Sequence, residues 1–220
     1  MGAITRAAAN NITTGGVILP AGINDTSVAS ISELEQVATG GGLNLISSQT
    51  ASASASIEFT SGIDSTYDIY KFEFINIQSG DEGAGFAFQV DTGTNTNYNQ
   101  TITSTFFDAY HNEGDTANDL RYLGDRDQAN GTALQPLSVL SSGGSDEADS
   151  GTLILYNPSS STFVKHFMSR FSNMIAGNYA GDAFGAGYIN TTTPITRIKF
   201  ALTSGNITSG TIRMYGIQSS

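Results

Sequence analysis

From Leu43 onward, the apolar residues of this chain recur at every second position. Tyr70-Lys-Phe-Glu-Phe-Ile75 sets Tyr70, Phe72 and Phe74 against Lys71 and Glu73, and Phe86-Ala-Phe-Gln-Val90 repeats the arrangement. Ala51-Ser-Ala-Ser-Ala-Ser56-Ile57-Glu58-Phe59 alternates strictly, so one strand is expected across it. Successive side chains of a strand point to opposite faces, and a period of two therefore reads as a strand with one buried side. Further segments continue the series: 101–110, 153–156, 162–171, 195–202 and 211–217. Between them lie Asn-Pro, Gly-Gly and Ser-Gly breakers. Gly80-Asp-Glu-Gly-Ala-Gly85 predicts a hairpin turn between two of the strands. Short strands at this spacing, with no helical stretch between them, define an all-β chain: an antiparallel β-sandwich, jelly-roll-like, over residues 43–220.

Residues 1–42 read differently. Their aliphatics are isolated (Ile4, Ile12, Val17, Ile18, Leu19, Ile23 and Val28 among them), and Phe and Tyr are missing. Such a segment is too apolar for a free tail and too poor in bulk for its own core. An extended N-terminal arm that gains order on a neighbour is expected, with Ile12, Val17, Ile18, Leu19 and Ile23 as its partner-binding residues. A short helix over 29–37, capped by Ser30 with Glu33 three residues on, fits within the arm before Gly40-Gly41-Gly42 breaks the chain.

Composition then removes whole classes of function. The chain has no Cys, so thiolate metal sites, disulfides and thiol nucleophiles are excluded. The net charge is −11 with only nine Lys and Arg, and they do not cluster. Nucleic acid and anionic membrane surfaces both select a cationic footprint, so neither is an expected partner. No apolar run reaches a membrane span, and the first residues carry no signal-peptide core.

Three polar regions carry side chains capable of chemistry. His111, Glu113, Asp115, Asp119, Asp125 and Asp127 lie within 111–131 and offer the hard oxygen ligands that Ca²⁺ prefers. The run from Asp125 departs from the calcium-loop pattern at its fifth and sixth positions, and Pro136 stands where the bidentate Glu belongs. A solvated loop with local ion pairs is the expectation there. Asp146, Glu147 and Asp149 lie in a Gly/Ser-rich loop, and without Trp a sugar-cleaving cleft is not expected. His166 falls in a strand and is expected to be a buried or interfacial hydrogen-bonder. Gly143-Gly-Ser145-Asp-Glu147 lacks the closing Gly of a serine-hydrolase elbow. No catalytic residue, cofactor or metal site is nominated, and the chain is expected not to be an enzyme.

Several stretches taken together resemble β-sandwich structural proteins, of decoration or fibre type, in marine tailed phages. They are Ala51 to Ile77, Phe107-Asp-Ala-Tyr-His-Asn-Glu-Gly-Asp115, Gly151-Thr-Leu-Ile-Leu-Tyr-Asn-Pro-Ser-Ser160, Val164-Lys-His-Phe167 and Gly210-Thr-Ile-Arg-Met-Tyr-Gly-Ile217. The resemblance covers about residues 45–218. It implies a location on the virion, assembled in the bacterial host cytoplasm, and no catalysis. Similar modules occur on heads and on tail appendages. The chain has no heptads for a fibre shaft. A compact domain with an adhesive arm therefore suits a capsid decoration (cement) protein, the alternative being a short tail fibre or a receptor-binding, host carbohydrate-recognising tail protein. A free-standing carbohydrate-binding module ranks third. The expected partners are the major capsid protein or tail proteins and further copies of the chain itself, most simply as a trimer.

Overall fold

The computed structural model describes residues 42–93, 96–139, 143–175 and 177–217, the side chain of residue 175 excepted. The arm expected over 1–42, with its five partner-binding residues and its short helix, lies outside the described residues apart from Gly42. Every regular element among the described residues is a strand. In chain order these are β1 (Leu43–Ser54), β2 (Ile57–Phe59), β3 (Ile69–Ser79), β4 (Phe86–Asp91), β5 (Ile102–Asn112) and β6 (Asn118–Tyr122). They continue as β7 (Gln135–Pro136), β8 (Asp149–Tyr156), β9 (Lys165–Ile175), β10 (Tyr179–Ile189), β11 (Arg197–Leu202) and β12 (Ile207–Ile217).

The strands form an eight-stranded sheet, in the order β1-β12-β3-β8-β9-β10-β5-β6, and a four-stranded sheet, β2-β11-β4-β7. Every pairing is antiparallel. Set aside β5, β6, β9 and β10, and eight strands remain. Of these the first pairs with the last (β1 with β12), the second with the seventh (β2 with β11), the third with the sixth (β3 with β8) and the fourth with the fifth (β4 with β7). That is one long hairpin rolled into two facing sheets, the topology of a jelly roll. The four remaining strands are two inserted hairpins. β5–β6 sits in the connection between the fourth and fifth strands, and β9–β10 between the sixth and seventh. Both add to the free edge of β8 and widen only the larger sheet.

The core lies between the sheets and is largely aromatic. Tyr70, Phe72 and Phe74 of β3 are buried, as are Phe167 and Phe171 of β9, and they meet Phe86 and Phe88 of β4 and Phe200 of β11. The alternation on β3 slips once. Asn76 takes a left-handed conformation (φ 52°), and the pairing shifts between Phe74 and Ile77, so that Phe74 and Ile77 both face inward although three residues apart.

Three local expectations are corrected. Gly80–Gly85 is not a hairpin turn: β3 and β4 belong to different sheets, and the chain crosses from one layer to the other there, with Gly83 at φ 79°. The alternating run 51–59 is two strands, because the chain leaves the larger sheet after Ser54 and enters the smaller at Ile57. The polar segment 111–131 is not all loop, since β6 lies within it and pairs with β5 from Phe107↔Tyr122 to His111↔Asn118.

Candidate interaction surface

The outer faces of the two sheets are finished differently. The smaller sheet is roofed by its own chain. The buried amide of Gln89 donates to the carbonyls of Gln100, Thr132 and Ala133 at 2.9, 3.2 and 3.0 Å. Tyr98 lies over Lys199 (5.3 Å to the ring centre) and donates its hydroxyl to Glu58 at 3.0 Å. Burial, and then this bond to a carboxylate, push the Tyr98 hydroxyl up to about 12. Among the described residues, nothing comparable covers the outer face of the larger sheet.

On the inserted half of that face, register lines up large side chains. Arg170, Phe184, Phe107 and Tyr122 are direct cross-strand neighbours from β9 through β10 and β5 to β6. Cross-strand neighbours stand about 5 Å apart, close enough for planar groups to stack. The Arg170 guanidinium sits 5.0 Å from the Phe184 ring centre, and Phe184 stacks on Phe107 at 4.9 Å with the planes 6° apart. The result is a ridge, with Phe107 40% and Tyr122 60% exposed. Met168, 55% exposed, stands two residues from Arg170 on the same face, and Leu120, 68% exposed, two residues from Tyr122.

Beside the ridge the side chains become small. Ser150, Ser172 and Ala109, with Ala180 and the backbone of Gly151 and Gly181, floor a groove of about 630 Å³ that Arg170, Asp182 and His111 border. Arg170 spans the boundary, donating Nε and Nη2 to the two Asp182 carboxylate oxygens at 3.0 and 2.7 Å. This bidentate bond holds the guanidinium above its ordinary pKa and sets it over the Phe184 ring. Farther along, Lys71 donates to Glu73 at 2.8 Å, which holds the Glu73 carboxyl below its ordinary range. Register places three cations on this outer face, Lys71, Arg170 and Arg213, against two carboxylates, Glu73 and Asp182. In a chain of net charge −11 the face carries no excess of acid.

The polar residues considered from the sequence fall elsewhere or pair locally. His111 contacts Asp115 at 3.1 Å and Arg126 contacts Asp125 at 3.5 Å, both exposed to solvent on at least one side. Tyr122 donates to Asp127, which raises the Tyr122 pKa. Asp108 is fully buried and takes two bonds from Arg121, at 3.0 and 2.7 Å, which raise the Arg121 pKa in turn. Among the described residues, no three His, Cys, Asp or Glu side chains gather as a metal site would require. Glu147 accepts the backbone N–H of Gly144 at 2.7 Å, so it closes its own turn.

His166 is exposed on the outer face, 6.3 Å from the Tyr188 ring, so of the buried and interfacial positions expected for it the buried one does not hold. Its neighbour Lys165 takes the inward position instead. The Lys165 ammonium is buried and donates to the carbonyls of Ser160, Phe163 and Thr191 at 2.6, 3.1 and 3.1 Å, while desolvation pulls its pKa down. The ridge residues went unnominated in the sequence. One signal for them exists: in the adjacent pair Phe106-Phe107 a strand must turn one ring outward, and Phe107 is that ring.

Compared with protein-family models, with curated proteins and with solved structures, the chain matches none.

Proposed function

We propose that this protein is a non-enzymatic structural component of a tailed-phage particle, exposed on the virion and most simply a decoration protein that stabilises the head. The observation that carries the reading is the open, apolar, charge-balanced outer face of an otherwise closed jelly roll. A face of this kind serves assembly: it offers apolar area without opposing like charges when proteins pack side by side. The resemblance of residues 45–218 to phage structural modules adds the setting. The arm supplies a second contact, its isolated aliphatics lying in a groove or along a sheet edge of the major capsid protein. A protein that binds only the assembled shell stabilises that shell by mass action.

Counting copies in purified particles by quantitative mass spectrometry tests the reading. Hundreds of copies per particle support decoration; a few dozen or fewer transfer the protein to the tail, as a short fibre or receptor-binding component. Its absence from particles would remove the proposal altogether. A 43–220 fragment mixed with undecorated heads separates the two contacts. Binding should be lost with the arm, and retention of full affinity would assign attachment to the sandwich alone.

A further inference from the structure

We infer that the outer face of the inserted half of the larger sheet is a homotypic interface, on which a second copy of this chain docks about a twofold axis. The face spans β8, β9, β10, β5 and β6. Five strands at about 4.8 Å, five to eleven residues long at about 3.3 Å per residue, cover roughly 700 Å². One partner in a specific interface of ordinary size contributes about the same area.

The relief of the face selects the occupant. The ridge of Arg170, Phe184, Phe107 and Tyr122 runs directly beside the groove floored by Ser150, Ser172, Ala180 and Ala109. A twofold axis lying in the plane of the contact, parallel to the ridge and above the line between ridge and groove, lays each copy's ridge in the other's groove. An isologous contact requires this self-complementarity, in which one patch is both donor and acceptor of the fit. Charge points the same way. Copies of net charge −11 repel when their acidic loops meet, whereas this face brings one cation and one carboxylate to the contact, Arg170 and Asp182, balanced against each other. Each Arg170–Asp182 pair then meets its symmetry mate with both signs available. A threefold ring, the order expected from the sequence, would instead set this face against a different surface of the next copy.

Sedimentation velocity of the full chain across micromolar concentrations, with two kinds of variant, tests the inference. The wild type should form a dimer. Met168→Glu and Leu120→Glu should each weaken it roughly tenfold or more, as apolar contact residues do when a charge is buried in their place. Both side chains are exposed, so circular dichroism should show an unchanged fold. Phe163→Ser removes an exposed ring outside the ridge and groove and should leave the dimer intact. Because the chain has no Cys, a single Ala109→Cys beside the axis gives an independent readout. Mild oxidation should link it to its own counterpart in the partner, while Phe163→Cys should not cross-link. A wild type that stays monomeric overturns the inference. So does an oligomer that survives both Glu variants, or one that fails to cross-link at position 109. In the first of these cases the face would be left to a different protein.

Discussion

Phe200→Ala tests whether a single aromatic cluster bridging the two sheets supplies most of the cohesion. Phe200 is fully buried on β11 of the smaller sheet. Its ring centre lies 5.3 and 5.0 Å from Phe72 and Phe74 of the larger sheet, 6.2 Å from Phe59, and 6.0 Å from Phe86, on which it stacks. Truncating a buried Phe to Ala costs about 3–5 kcal/mol, and the cost is higher where the neighbours cannot collapse into the gap. Here they are pinned: Phe74 also packs against Phe86 and Phe171, at 5.3 and 5.0 Å. Four favourable ring geometries vanish as well, each contributing about 0.5–1.5 kcal/mol beyond its area. A loss near the top of the range, about 5 kcal/mol, is therefore expected. In a domain of this size each kcal/mol moves Tm by about 2–4 °C, so the melting point should fall by roughly 10–20 °C.

Urea titration and calorimetry on matched variants measure this. Phe200→Leu keeps most of the volume and should lose about 1.5 kcal/mol or less. Phe163→Ala removes a ring that is 67% exposed, and its effect should stay within about 0.5 kcal/mol. If Phe200→Ala cost less than about 2 kcal/mol, the bridging cluster would not be what joins the sheets, because such a value lies below the range for a buried ring.

Two further outcomes follow from buried polar groups. Lys165→Met keeps the length of the side chain but leaves the carbonyls of Ser160, Phe163 and Thr191 without their donor; thermal melts should show a loss of about 2–4 kcal/mol, and no loss would mean that those carbonyls turn to water instead. Tyr98 is pushed up to about 12 in the folded protein, against about 10 when unfolded, so the unfolded chain gives up its proton first and stability falls as pH rises between those values. Tyrosinate absorbance should show a late-titrating component that Tyr98→Phe removes, together with part of the alkaline loss of stability.

What the sequence disclosed tracks where large side chains point. β3, β4, β9 and β11 carry their Phe, Tyr and Ile in the inward phase, so the period of two displayed the sandwich directly. β10 gave no such signal. Its inward positions are Gly181, Ala183, Gly185, Gly187 and Ile189, and a run of Gly and Ala reads as a loop although it pairs with β9 and β5 over its full length. β6 was hidden for a related reason: its residues are mostly exposed or half-buried, so no apolar phase marks them. Sheet membership was invisible too. Alternation tells which face is buried but not which sheet a strand joins, hence the mistaken hairpin at Gly80–Gly85 and the fused strand at 51–59. The expected binding residues of the arm, Ile12, Val17, Ile18, Leu19 and Ile23, lie outside the described residues, and the interaction face rests on ridge residues that only register brings side by side.

The same inversion of side-chain size explains how the inserted strands build that face. Small inward residues on β10 leave room for Phe106 of β5 and Phe167 of β9 beside it, and bulk is moved outward to Phe184 and Tyr188, with Phe107 next door on β5. Gly187 is the tightest test of this reading. A Cβ there would stand 2.4 Å from the Thr103 carbonyl oxygen, 2.8 Å from Ser104 Cα and 2.9 Å from Phe167 Cζ. The first two are backbone of β5, which cannot rotate away, so Gly187→Ala must push β5 from β10 at a cost of about 3 kcal/mol. β5 meets the larger sheet through β10, and β6 hangs from β5, so the strain should fall on the strands that carry Phe107, Leu120 and Tyr122. Hydrogen exchange should therefore quicken along β5, β6 and β10 while β3 and β12 stay protected, and self-association should weaken in parallel. Ala186→Ser, one residue away on the outer face, should leave exchange in these strands unchanged. If Gly187→Ala left exchange in β5 unchanged, the close approach of the two strands would not be what positions the ridge.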